Sequence, residues 1–397
     1  MKPLLSIAIA TKNRVPYCIN TIETILNYKS TNFELVIQDN TDTVELGEYV
    51  KNNFYDPRLV YNYIPPPFSS IDNFNAVLSL CTGKYVCLLG DDDGILDNIF
   101  DVVEWANENK IDSICPKMFI NYMWPNDNSN GRLVFPNSSL NLWYNKPYNN
   151  LQKLVNDGVL LYTKFNLPKL YHGIIKKSKL NEIKTRTGYY LGGLSPDIYS
   201  CVALAGIVQK HVVLDFPVTI AGACPASTTV DNTKGTHSGN LENAPHFRNR
   251  NGYMWDSHVP QYYSVQTIWA DSALHSIDDC NINVDLSKLN RLKMLAGAIN
   301  DNKGYKDFFI EKTLINLKKD KADFSFRVKL LYYQIILIFQ NYYSKVLARI
   351  PFGKLISTKR IYNIQNIFEC TEICNKILKN YNFREVLSKS NGKYKDV

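Results

Sequence analysis

The sequence predicts an α/β protein: a mixed, Rossmann-like sheet flanked by helices, with a mainly helical C-terminal region. Three observations carry this reading. Apolar strand-like runs alternate with amphipathic segments through the first hundred residues. Thr11, Asp39 and Asp91 fall at the ends of those runs, where doubly wound sheets bind their ligands. Beyond residue 260 the apolar spacing becomes helical.

The run LLSIAIAT (4–11) reads as a buried parallel strand that feeds the polar turn Thr-Lys-Asn-Arg. Ile19, Ile22, Ile25 and Leu26 stand at helical spacing in 17–28. FELVIQDN (33–40) is a second buried strand, a polar helix follows at about 43–53, and RLVYNYI (58–64) is a third strand closed by three prolines. An amphipathic helix over 70–81 leads to the strand KYVCLLG (84–90), and a further helix is expected over 97–108. Strand and helix thus alternate as in βαβ units, and this half of the domain is bounded at 1–110.

The second half, 111–225, opens on a strand in IDSICPKMFINYMW and continues through an Asn- and Pro-rich loop at 126–150. A helix is expected within 151–163, and the Gly-rich stretch 188–194 becomes a helix with Pro196 in its first turn. HVVLDFPVTIAG (211–222) reads as a strand pair or one bent strand. Residues 226–258 are polar and Gly-, Thr- and Asn-rich, a loop or lid, and 259–397 is the helical C-terminal region.

Composition narrows the class. Apolar residues make up 45% and charged residues 21% of the 397, as in a globular protein. The nine cysteines form no C-x-x-C pair, which argues against a zinc site and for reduced thiols in a cytoplasmic setting. No secretory h-region opens the chain and no apolar run reaches the length of a membrane span. The net charge of +8 is concentrated in 301–360, around an apolar run without a nucleic-acid motif, so nucleic acid is not an expected partner.

The stretch VCLLGDDDGIL raises the chemical question. Asp91, Asp92 and Asp93 are adjacent like charges at the end of a buried strand, which is costly unless something positive is near. Facing a ligand crevice, such a cluster is a hard-oxygen site for Mn²⁺ or Mg²⁺ bridging to a diphosphate. The alternative is a solvated turn that starts the next helix.

Four segments in order resemble family 2 glycosyltransferases, enzymes of the GT-A fold that move a sugar from a nucleotide-diphosphate donor. They are SIAIATKNRVPYCINTIETIL, FELVIQDNTD, SIDNFNAVLSLCTGKYVCLLGDDD and LSPDIYS. The resemblance covers about residues 1–225 and departs from the family at the last motif, where Pro-Asp stands in place of the usual Glu-Asp. It implies that Thr11, Arg14, Asp39, Asn73, Asp91 and Asp92 bind the donor nucleotide, Asp39 on its base, a uracil if the donor is a UDP-sugar. Asp93, with Asp91, would hold the metal, His237 would swing in as a further ligand, and Asp197 would be the catalytic base. His172 would touch the acceptor, a glycan or lipid-linked glycan of a bacterial surface polysaccharide.

Two other readings stay open on the residues alone. A nucleotidyltransferase shares the sheet and paired aspartates, but TKNRVPY lacks the glycines that cradle a triphosphate. A non-catalytic assembly subunit could keep the fold. The segment 324–360, an apolar run with basic flanks and several tyrosines, suits a helix lying on an anionic membrane. Equally, it suits a helix packed on the catalytic domain. The first reading places the protein peripherally on the inner face of the cytoplasmic membrane, and a homo-oligomer is a further expectation for this C-terminal region.

Overall fold

A computed structural model describes residues 2–127, 129–160, 162–226, 238–250, 252–347 and 355–389. Its first eighty-nine residues alternate Leu5–Thr11 (β1), Val15–Leu26 (α1), Phe33–Asp39 (β2), Glu45–Asn53 (α2), Leu59–Tyr63 (β3), Ser70–Leu80 (α3) and Tyr85–Leu89 (β4). β1, β2 and β4 read as continuous apolar runs because both their faces are covered. Ile7, Ile9, Leu35, Ile37, Cys87 and Leu89 enter one core, while Ala8, Val36, Val86 and Leu88 enter the opposite one.

These strands form the parallel part of an eight-stranded sheet ordered β3-β2-β1-β4-β10-β6-β11-β9. The later members are Ser113–Pro116 (β6), Leu142–Asn145 (β9), Ile174–Lys176 (β10) and His211–Leu214 (β11). β10 runs antiparallel between β4 and β6, which makes the sheet mixed. A second, five-stranded sheet joins Gly94–Ile95 (β5), Ile120–Met123 (β7), Arg132–Phe135 (β8), Thr219–Ala223 (β12) and Lys359–Tyr362 (β15). Thr11 pairs with Asp39 in the β1–β2 register, so the carboxyl ends of the two strands lie side by side. The chain order reverses around β1, and the crevice beyond that switch point is the natural ligand site.

The helices Asn98–Glu108 (α4), Tyr148–Asn156 (α5), Lys177–Thr187 (α6) and Pro196–Ile207 (α7) follow. After a short ladder of Ser238–Gly239 (β13) with Tyr263–Ser264 (β14) come Val265–Asp279 (α8), Arg291–Asp301 (α9), Lys306–Asn316 (α10) and Phe324–Leu347 (α11). The α8 start is fixed by a capping box between Ser264 and Thr267.

Two expectations for the middle of the chain are corrected. The stretch 126–150 is not an open loop but carries β8 and β9, four residues each; β8 pairs with the nearby β7 and the remote β15, and β9 with the remote β11. The run from Ile111 to Trp124 is two strands in different sheets, broken after Pro116. HVVLDFPVTIAG is likewise a pair, β11 and β12, one strand in each sheet.

The end of the chain returns to the N-terminal half. β15 pairs antiparallel with β8, and Ile367–Leu378 (α12) sets Ile367, Cys370 and Cys374 into the same core as β1. Phe383–Ser388 (α13) completes it with Phe383 and Leu387. All nine cysteines are free and buried. Among the described residues no helix is long and apolar enough to cross a membrane.

Candidate active site

A cavity of about 490 Å³ opens at the carboxyl ends of β1 and β4. Thr11, Arg14, Asn73, Asp91, Asp92 and Asp197 all line it. Six positions separated by up to 186 residues in sequence thus meet in one crevice. Asp39 is not in the lining. It lies beneath, where its carboxylate accepts from the Thr41 N–H at 2.7 Å and the Tyr61 hydroxyl at 2.7 Å, and Asn40 takes the surface position.

The acidic tip is built by hydrogen bonds from every side. Thr11 donates its hydroxyl to Asp91 at 2.5 Å, and Arg14 Nη1 stands 2.9 Å from Asp91 Oδ1 and 3.7 Å from Asp92 Oδ1. One guanidinium nitrogen thus sits beside both carboxylates. Asp92 also accepts from the Cys224 N–H at 2.9 Å. Asp93 turns inward: its oxygens accept from the backbone N–H of Gly90 at 2.6 Å and of Gly222 at 2.7 Å, and from the Tyr171 hydroxyl at 2.9 Å. Gly222 is obligatory here, because a Cβ would lie 1.8 Å from the Asp92 carbonyl oxygen.

His172 is not placed as an acceptor contact on the main cavity. Its Nδ1 meets the Thr219 hydroxyl at 3.1 Å and its Nε2 stands 3.3 Å from Asp93, so it props the acidic tip from below. Burial, with Lys169 nearby, drives its pKa down to about 3, so the ring is neutral. His237 lies outside the described residues.

Burial likewise pushes Asp91, Asp92 and Asp93 up to about 6 each. Asp92 repels Asp91, Asp93 repels Asp92, and Arg14 draws the first two back. A cluster this reluctant to ionise favours a cation that arrives with its ligand.

Asp197 occupies the first turn of α7, directly after Pro196, the residue type that suits a helix start. The loop before it is fastened from three sides. Ser272 on α8 accepts from the N–H groups of Leu194 and Ser195, at 3.0 and 2.9 Å. Asn75 on α3 accepts from those of Tyr190 and Leu191, and Arg250 donates to the Gly193 carbonyl at 3.0 Å. Gly193 takes φ +62°, which an L side chain rarely adopts. The half-buried carboxyl is pushed up to about 6 by desolvation and by Asp93, and Lys169 opposes that rise.

Lys169 escaped the sequence reading. It is 6% exposed, its ammonium stands 4.7 Å from the Phe119 ring centroid, and it shares a cavity of about 60 Å³ with Asp197. A lysine between Pro and Leu carries no local signal of burial. His246, Tyr263 and Trp269, which close the far wall of the main cavity, come from a segment read only as loop and helix start.

The donor set fits a divalent cation only in part. Asp91 and Asp92 offer hard oxygens to the cavity, whereas Asp93 reaches a metal only by giving up protein hydrogen bonds. Among the described residues no three His, Cys, Asp or Glu side chains converge as a metal cage. Such a pair fits an ion that takes its remaining ligands from a phosphate group.

Comparison with known proteins gives one family. Residues 6–166 match the model of glycosyl transferase family 2. No curated protein matches the chain significantly. Among solved structures it is similar to S. aureus TarS 1-349 in complex with UDP-GlcNAc, at 14% identity and TM-score 0.45, covering 78% of this chain and 74% of that one. It is also similar to the mannosyltransferase PcManGT from Pyrobaculum calidifontis in complex with GDP-Man and Mn²⁺, at 14% identity and TM-score 0.37, covering 87% and 88%. The β1 turn, the acidic end of β4 and the intervening strands all lie inside the segment that matches the glycosyl transferase family 2 model.

Proposed function

We propose that this protein is a family 2 glycosyltransferase that moves a sugar from a nucleoside-diphosphate donor, with inversion and with Mn²⁺ or Mg²⁺, onto a glycan or lipid-linked glycan of a bacterial surface polysaccharide. The observation that carries the reading is the meeting of Asp91, Asp92 and Asp197 in one cavity at the strand ends.

Each group has a task. Thr11, Arg14 and Asn73 line the donor side, and among the described residues the buried Asn73 Oδ1 has no hydrogen-bond partner, so it can accept from the nucleotide. A divalent ion on Asp91 and Asp92 would supply Lewis-acid neutralisation of the diphosphate as its negative charge grows. Arg14 adds a fixed positive charge beside the same oxygens. Asp197 accepts the proton of the acceptor hydroxyl while that oxygen bonds to the anomeric carbon. The bond from that carbon to the diphosphate oxygen breaks in the same step, its electron pair leaves with the nucleotide, and one displacement inverts the centre.

In this reading the enzyme works in the cytoplasm, where nucleotide sugars are made. The test is a panel of UDP-, GDP-, dTDP- and CMP-linked sugars with Mn²⁺, followed by release of free nucleotide. Release from one diphosphate donor, enhanced by metal, is expected. A nucleotidyltransferase would instead release pyrophosphate from a nucleoside triphosphate, and a non-catalytic subunit would release nothing.

The pH dependence follows from Asp197. The base acts as the carboxylate, and its pKa lies at about 6, so kcat/KM rises with pH through about 6 and levels above it. Lys169 favours the charged form, so Lys169→Met moves that acidic limb to higher pH while the Kd for the donor stays unchanged. A limb that does not move would make Lys169 a packing residue only.

A further inference from the structure

The helix α11 is apolar on both faces, and only one of them is covered. On the inner face Phe326 and Leu330 are 2% and 5% exposed, and Tyr333 and Leu337 pack beside them with residues of α9 and α10. Asn290 of the segment before α9 donates to the Tyr333 hydroxyl at 3.0 Å, and Asn300 of α9 donates to the Gln334 carbonyl at 3.2 Å. The helix is thus anchored to the body of the protein.

The outer face presents Phe324, Val328, Leu331, Ile335, Ile338 and Tyr342, spaced four or three apart, all between 45% and 83% exposed. Tyr332, Phe339 and Tyr343 widen the stripe on one side. Nine large apolar or aromatic side chains on one helix face are far more than the scattered exposure usual for a protein surface. From residue 324 to 343 the stripe extends over about 29 Å of the helix.

Charge decides what covers it. From residue 324 to 366 the sequence holds seven Lys and Arg and no Asp or Glu. Asp323, just before the helix, is already paired with Lys319 at 3.6 Å and accepts from the Phe326 N–H. Arg327 and Lys329 flank the start of the stripe and are exposed. A second copy of the chain meeting this face would bring like charges together without a carboxylate to offset them. An anionic bilayer offers both apolar depth for the stripe and negative headgroups for its flanks. The tyrosines suit the headgroup level. No described helix can cross the bilayer, so the contact is peripheral.

We propose that the outer face of α11 docks on an anionic lipid surface, lying in the plane of the interface. This surface is independent of the transfer chemistry, so the two readings fail separately.

The test is co-sedimentation of the full chain with vesicles of phosphatidylcholine, alone or mixed with phosphatidylglycerol. The protein is expected to pellet with the mixed vesicles, at least about tenfold more weakly with phosphatidylcholine alone, and less as salt rises. Ile335→Glu with Phe339→Glu places charges at exposed positions, so the melting temperature stays and vesicle binding falls by about tenfold or more. Arg327→Glu with Lys329→Glu weakens binding only to the anionic vesicles. Wild-type protein that stays in the supernatant with both vesicle types overturns the proposal. Unchanged binding of the Ile335→Glu, Phe339→Glu protein does the same. So does a concentration-dependent dimer that these two substitutions dissolve while no vesicle is bound.

Discussion

Asp197→Asn is expected to lower the rate of sugar transfer by about 10²–10⁴-fold while donor affinity stays within about twofold. Asn matches Asp in shape, and the loop that carries residue 197 is held by Ser272, Asn75 and Arg250 rather than by the carboxylate itself. Only proton acceptance is removed. The measurement is single-turnover transfer alongside calorimetric donor titration. If donor binding falls together with transfer, Asp197 supports the cavity and is not the base. A nearly unchanged rate would exclude it outright.

The second large effect separates the three adjacent aspartates. Asp91→Asn and Asp92→Asn are expected to abolish the extra thermal stabilisation that Mn²⁺ gives to donor binding. At donor near 100 times the Kd measured with metal, the whole stabilisation by donor is about 2.7 kcal/mol, which bounds the loss from above. Neither substitution empties the protein's interior, since both carboxylates face the cavity. Asp93→Asn behaves differently. Its two oxygens serve the Gly90 and Gly222 N–H groups together with Tyr171. An amide there points its NH₂ at a backbone donor, which costs about 1–3 kcal/mol without any ligand present. Melting curves with and without donor and metal distinguish the two patterns. An Asp93 variant of full stability that loses the metal response would make Asp93 the ligand and its hydrogen bonds expendable.

These contrasts show how much the sequence disclosed. Continuous apolar runs identified β1, β2 and β4, because a strand covered on both faces leaves a signal that needs no partner to be read. The acidic end of β4 and the acid of α7, both of which reach the cavity, were legible as candidates by type and place. Their convergence was not, since it depends on the β10 insertion and on α8 fixing the loop before Asp197. The inward turn of Asp93 was hidden for the same reason: its donors come from residues 90, 171 and 222, with His172 beside them. β8 escaped because it is only four residues long and one of its two partners lies more than two hundred positions away. Lys169 gave no pattern at all, since burial of a single lysine is a tertiary fact. In 324–343 the packed-helix expectation holds for one face of α11, and the other face stands in solvent.

The most direct measurement is a crystal of the protein grown with the diphosphate donor and Mn²⁺, recorded at a wavelength where manganese scatters anomalously. The account predicts one strong anomalous peak between the Asp91 and Asp92 carboxylates and the diphosphate, with Asp197 on the same cavity. Bound donor with no peak there, and with Asp91 and Asp92 still held only by Thr11, Arg14 and Cys224, would contradict it.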